Sequence, residues 1–199
     1  IPDTLLQLPK FGVLNIHPSL LPTYRGPSPI QTALLHGDQL SGVTIILLDT
    51  EMDHGPVLLQ QSAEVLLTDT STTVKERFSQ LGALLLLRAL QEWMRGTLKP
   101  IPQEHDHATF TKKLTKEDVR INWNETADSI ERKSRAFTPW PGLWTTWDSV
   151  IVKLFDCSIA PVQSSQKLGT VLGVVDGSIQ IQSGEKTVLT FGSIQREGK

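Results

Sequence analysis

The chain has 199 residues, 39% of them apolar and 20% charged, and a formal net charge of −2. This composition excludes disordered, collagenous and disulfide-stapled classes, and the near-neutral charge excludes a strongly basic nucleic-acid binder. The length suits one large or two small domains and is enough to bury a core.

The first element in chain order is a short buried strand ending at residues 12–16, Gly-Val-Leu-Asn-Ile. Pro18, Pro22, Pro27 and Pro29, with Gly26, forbid regular structure until about Ile30. A short helix is predicted from Ile30 to His36, with Gly37 as its stop. The β-branched apolar run from Val43 predicts a strand, residues 50–56 a loop, and Val57 to Leu67 a further strand. The clearest helix is predicted over residues 70–95, with a capping box at Thr73 and Glu76. Its inner face would carry residues 74, 78, 81 and 85, and Gly96 its C-terminal stop. Residues 97–115 are polar and proline-containing, which predicts an interdomain linker. Lys116 to Phe137 should hold a helix, with Asn124 or Thr126 as N-cap and Ile130 facing inward. From Trp147 onward the pattern is short strands. Asp176-Gly177 marks a two-residue hairpin and Ser183-Gly184 another turn, so a small barrel is predicted.

No apolar run reaches the ~18–20 residues of a membrane span, so no membrane partner is expected. The single cysteine, Cys157, permits no intrachain disulfide and favours an intracellular compartment. It lies in an apolar run and reads as a buried structural thiol.

Three polar residues stand where burial needs a reason. Asn15 ends a strand, His17 follows it, and Asp53 lies in the loop beyond the next strand. In open α/β sheets ligands gather at the carboxyl ends of strands, where these three would meet. Such a trio suits acyl transfer to an amine. A protonated His and an Asn amide can donate to a developing oxyanion, and a carboxylate can raise the His pKa and accept the proton that the amine sheds. Gly55 lets the Asp53 loop bend. Plain loop and turn roles for His17 and Asp53 remain alternatives. His17, Asp53 and His54 match no compact metal-ligand spacing, so no metal is expected. A hydrolase built on Ser19 lacks the Gly-x-Ser-x-Gly elbow.

The stretch Asn15-Ile-His-Pro-Ser-Leu-Leu-Pro-Thr-Tyr-Arg-Gly-Pro-Ser-Pro-Ile resembles the signature of the 10-formyltetrahydrofolate-dependent formyltransferases. Gly42-Val-Thr-Ile-Ile-Leu-Leu-Asp-Thr-Glu-Met-Asp-His-Gly-Pro-Val resembles that family's second motif. The resemblance implies a catalytic trio of Asn15, His17 and Asp53, and a folate contact through Ser19, Leu20, Leu21 and Pro22. The segments beginning at Lys113 and Arg135 resemble the C-terminal domain of the members that act on methionyl-tRNA. That implies an OB-like domain holding initiator tRNA, with Lys112, Lys113, Lys116 and Arg120 as candidate phosphate contacts. Trp140 is expected to pack between domains.

The implied fold is α/β, a partial Rossmann-like formyltransferase domain followed by a small OB-like β-barrel domain. The expected boundaries are 1–96 for the C-terminal half of the catalytic domain, 97–115 for the linker and 116–199 for the barrel. The implied reaction is formyl transfer from 10-formyltetrahydrofolate to methionyl-initiator tRNA, without a metal, in the cytoplasm or the mitochondrial matrix. Family members carry further chain before the point matching Ile1, so a missing N-terminal segment is expected and catalysis by this chain alone is left open. Formyl transfer to another amine and a non-catalytic tRNA-binding remnant are the alternatives.

Overall fold

In the computed structural model, residues 2–197 are described; Ile1, Gly198 and Lys199 lie outside them. The chain divides into two compact units, residues 1–113 and 114–199. The division falls at the end of the segment expected to be a linker, and residues 97–113 belong to the first unit. They are held there by backbone pairing of Ile101 with Val57 and by hydrogen bonds to the loop around Arg25.

The first unit holds α1 (Asp3–Leu6), β1 (Leu14–His17), α2 (Pro29–His36), β2 (Leu40–Leu47), β3 (Val57–Glu64) and α3 (Ser71–Met94). The strands form a sheet in the order β1-β2-β3 with antiparallel pairing throughout. β2 is its buried centre, with Val43, Ile45 and Ile46 fully enclosed. α2 starts on Pro29 and ends on Gly37, whose φ of 75° closes the helix. α3 is capped by Thr70, whose side chain accepts from the Thr73 amide, three residues earlier than the predicted box. Its inner face is Val74, Phe78, Gly82, Leu85 and Ala89. Leu84 and Leu87 remain exposed.

The turn into α3 is pinned by Asp69. Its carboxylate accepts from Arg77, from the Leu66 amide at 2.8 Å and from Thr73 Oγ1 at 2.8 Å. The Arg77 hydrogen bond is the main reason that this carboxyl is held at about 2. A depressed acid pKa means that the unfolded chain takes up the proton first. The stabilisation is therefore present at neutral pH and is lost as pH falls from about 4 toward about 2. Asp69→Asn is expected to lower the unfolding free energy by about 2 kcal/mol at pH 7 and to flatten the acid limb of the stability profile. Urea denaturation across pH checks both.

The second unit holds α4 (Ala127–Ala136) and five antiparallel strands: β4 (Leu143–Trp147), β5 (Val150–Ile159), β6 (Val171–Val175), β7 (Ser178–Gln182) and β8 (Val188–Arg196). Their order is β4-β5-β8-β7-β6. The edge strands β4 and β6 both line one cavity of about 370 Å³, so the sheet is rolled in the manner of the expected barrel. Asp176 and Gly177, at φ 49° and 78°, make the predicted hairpin turn between β6 and β7. Thr126 caps α4 by accepting from Ser129, and Ile130 is fully buried. The core is completed by Val119, Phe137, Leu143, Leu189 and Phe191. Cys157 is half-buried, and burial pushes its thiol up to about 12, which suits an unreactive structural residue. Among the described residues no helix is long and apolar enough to cross a membrane.

Candidate active site

Asn15, His17 and Asp53 meet, but not at the common strand ends expected. Because β1 and β2 are antiparallel, Asn15 lies opposite Ile46 and His17 opposite Thr44. The loop of residues 48–56 turns back and carries Asp53 to both. Asp53 Oδ1 accepts from Asn15 Nδ2 at 3.4 Å, Oδ2 accepts from the Gly26 amide at 2.8 Å, and Oδ2 lies 3.5 Å from His17 Nδ1. One carboxylate thus ties together three segments of chain.

The backbone explains the placement. Asp53 sits in the left-handed region at φ 49°, which aspartate tolerates better than most residues. A Cβ on Gly55 would lie 1.8 Å from the Leu47 carbonyl oxygen, so the loop can close only over a glycine. Gly26, at φ 103°, supplies the amide that Asp53 grips, and a side chain there would meet Thr111 at 2.9 Å.

The residues that hold this loop are ones the sequence did not single out. Gln103 Nε2 donates to the Asp53 carbonyl at 2.8 Å and to the Gly55 carbonyl at 2.7 Å. Its Oε1 accepts from Arg25 Nε at 3.1 Å and Nη2 at 2.7 Å. Arg25 is 3% exposed, so its guanidinium is a buried charge satisfied by Gln103 and by His105 Nδ1 at 2.9 Å. Thr109 and Thr111 fasten the neighbouring loop of residues 18–28, accepting from the Tyr24 and Ser28 amides. An isolated Gln in a polar, proline-flanked stretch carries no sequence signal for such a role.

His17 differs from expectation. It is 3% exposed, and that burial lowers its pKa, outweighing the upward pull of Asp53 and of the Tyr24 carbonyl. The imidazole is therefore neutral at pH 7 rather than protonated. Its Nε2 lies 2.9 Å from the Tyr24 carbonyl oxygen, which can only accept, so Nε2 carries the proton. Nδ1 then turns an unprotonated lone pair toward Asp53. Two acceptors facing each other leave a place for one incoming proton. The oxyanion donor left in the trio is Asn15, whose second N–H has no partner among the described residues.

This arrangement sets two expected results for the His17 ring. Its NMR titration midpoint falls below the ordinary imidazole range, and Asp53→Asn moves it lower still, because the carboxylate is the largest influence opposing burial. A lowered histidine pKa means that the unfolded state protonates first. The related stability is present above the ordinary imidazole range and is lost as pH falls through it. A midpoint raised above that range would contradict the burial argument.

Of the residues expected at folate, Ser19 and Leu21 are buried. Ser19 Oγ donates to the Thr23 carbonyl at 2.5 Å, and the Leu21 amide donates to Thr44 Oγ1 at 3.2 Å. Their side chains shape the loop from within, while Leu20 and Pro22 are half-exposed beside them. Lys112, Lys113, Lys116 and Arg120 are all exposed, the first two at the end of the first unit and the others in the second. His54 is turned away from the trio. It pairs with Asp49 at 2.6 Å and stacks on His105, and among the described residues no cluster could hold a metal.

The family of formyl transferases matches residues 1–90, and that family's C-terminal domain matches residues 113–199. The chain belongs to the formyl transferase family. It is 43% identical to the methionyl-tRNA formyltransferase of Chloroflexus aurantiacus over 85% of this chain and 54% of that protein. It is 33% identical to the methionyl-tRNA formyltransferase of Staphylococcus aureus over 100% of this chain and 64% of that one. The chain thus spans little more than half to under two thirds of the length of these relatives. Among solved structures, HypX from Aquifex aeolicus in complex with tetrahydrofolic acid aligns with TM-score 0.73 at 23% identity, over 94% of this chain and 32% of that one. An N-formyltransferase from Helicobacter canadensis aligns with TM-score 0.70 at 18% identity, over 92% of this chain and 66% of that one. These two likenesses bear on fold alone.

Proposed function

We propose that the chain carries the reacting groups for moving a formyl group from 10-formyltetrahydrofolate to the amino group of methionyl-initiator tRNA. The convergence of Asn15, His17 and Asp53 on one carboxylate carries this reading. The amine nitrogen attacks the formyl carbon, a new C–N bond forms, and the bond to the folate nitrogen breaks. Negative charge gathering on the formyl oxygen is met by the free N–H of Asn15. The proton shed by the amine enters the gap between His17 Nδ1 and Asp53 Oδ2 and is passed on to the folate nitrogen as it leaves. Burial keeps His17 neutral and therefore able to share that incoming proton.

Leu20 and Pro22 are the residues of the folate motif available to a pterin or its linker. Lys112, Lys113, Lys116 and Arg120 are the cations offered to tRNA phosphates. The acceptor is supported by the C-terminal domain match and by relatives bearing that name. It places the work where translation starts, in the cytoplasm or an organelle matrix.

The test is a formylation assay on the full-length protein with 10-formyltetrahydrofolate, offering methionyl-initiator tRNA and an amino sugar nucleotide in parallel. Formyl-methionyl-tRNA is the expected product. Formylation of the sugar alone would overturn the acceptor, and tRNA binding without turnover of either would make the protein a binding module.

A further inference from the structure

A second constellation lies wholly within the second unit. Trp140 is 69% exposed, and its ring enters no ring contact or hydrogen bond among the described residues. An indole left in water forgoes a large apolar burial, which marks a binding surface when it rims a hollow. Trp140 does rim one. It shares a cavity of about 240 Å³ with Trp144, Lys116, Lys153, Glu117 and Glu197. The two indoles differ in how they are fastened. Trp144 Nε1 donates to the Lys116 carbonyl at 2.8 Å, and the Arg120 guanidinium lies over its ring at 5.3 Å. That wall is fixed and electropositive, while Trp140 is free to settle on whatever enters.

We infer that this hollow receives a single unpaired nucleotide of an RNA, its base against Trp140 and its phosphates toward Lys116 and Lys153. The inference rests on the reading of this unit as tRNA-binding and specifies how part of that grip is made. The cavity is smaller than the ~300–1,000 Å³ of pockets for drug-sized ligands, so it suits one ring system. Flat aromatic faces beside cations are how proteins hold splayed bases without a duplex. Glu117 and Glu197 disfavour a plain polyanion or an anionic lipid surface, and they offer acceptors to base N–H groups. A paired base has its faces covered and cannot enter.

The experiment uses the chain with a short single-stranded oligoribonucleotide and a blunt duplex of the same strand, reading affinity and the indole N–H signals by NMR. The single strand is expected to shift the Trp140 signal, and the duplex to leave it in place. Trp140→Ala should weaken single-strand binding about 5- to 100-fold, Trp140→Phe should keep most of it, and Lys153→Ala should reduce the salt dependence by about one phosphate contact. Single-strand binding that Trp140→Ala leaves unchanged would overturn this site while the tRNA reading stands. Failure to bind either RNA would overturn both.

Discussion

Replacing Asp53 with Asn is expected to lower the turnover of the full-length protein by about 10²- to 10⁴-fold while leaving its melting temperature nearly unchanged. The charge is what the reaction needs. Without its charge, the Asn oxygen that stays with the Gly26 amide is too weak a base to take the incoming proton opposite Nδ1 of His17. The side chain is only 15% exposed, but the isosteric Asn keeps its shape and one oxygen acceptor. The loop is held by the Asp53 backbone carbonyl, through Gln103, and Asn tolerates the φ of 49° as well as Asp does. The Gly26 amide keeps an oxygen acceptor in the variant. Steady-state kinetics with thermal unfolding on the same sample check the claim; an unchanged kcat would remove Asp53 from the reaction.

Gln103→Leu is expected to cost about 2–5 kcal/mol of stability, because it strips a buried guanidinium of one of its two acceptors and two carbonyls of their donor in one step. Gln103→Glu separates the two roles. The carboxylate restores an acceptor for Arg25 and recovers much of the stability, yet it has no N–H for Asp53 and Gly55. Turnover should stay about 10- to 100-fold down as the loop drifts from its place. Denaturant midpoints and kcat measured on both variants check this. Full activity in Gln103→Glu would show that the loop holds its own geometry and that Gln103 serves only Arg25.

Much of this was legible in the sequence where one local interaction decides the outcome. Gly37 ending α2, Asp176-Gly177 turning between β6 and β7, and Thr126 capping α4 are each fixed by backbone chemistry within a few residues. That Asn15, His17 and Asp53 come together was legible through their motifs. What was not legible depends on long-range packing. The direction of β1 against β2 depends on the path of residues 18–39 between them, which no periodicity records. The neutral state of His17 follows from enclosure by the same loop, while the sequence offered only its partner, Asp53. The cap of α3 moved from Thr73 to Thr70 because Asp69, Thr70 and Thr73 form one network, and two threonines three residues apart satisfy the cap alone. Trp140, expected to be packed, stands exposed instead.

The strap of residues 97–113 bears on how the two units can be separated. Its composition invites a cut near residue 96, yet Gln103, Thr109 and Thr111 are fastenings of the Asp53 and Gly26 loops. A first unit expressed only to residue 96, or a protease nick in the strap, would keep every member of the trio and lose the parts that aim it. Shuffling of this domain in evolution or by engineering is therefore constrained to join after Lys113, because Ser28 Oγ still donates to the Lys112 carbonyl at 2.6 Å and the first unit ends there.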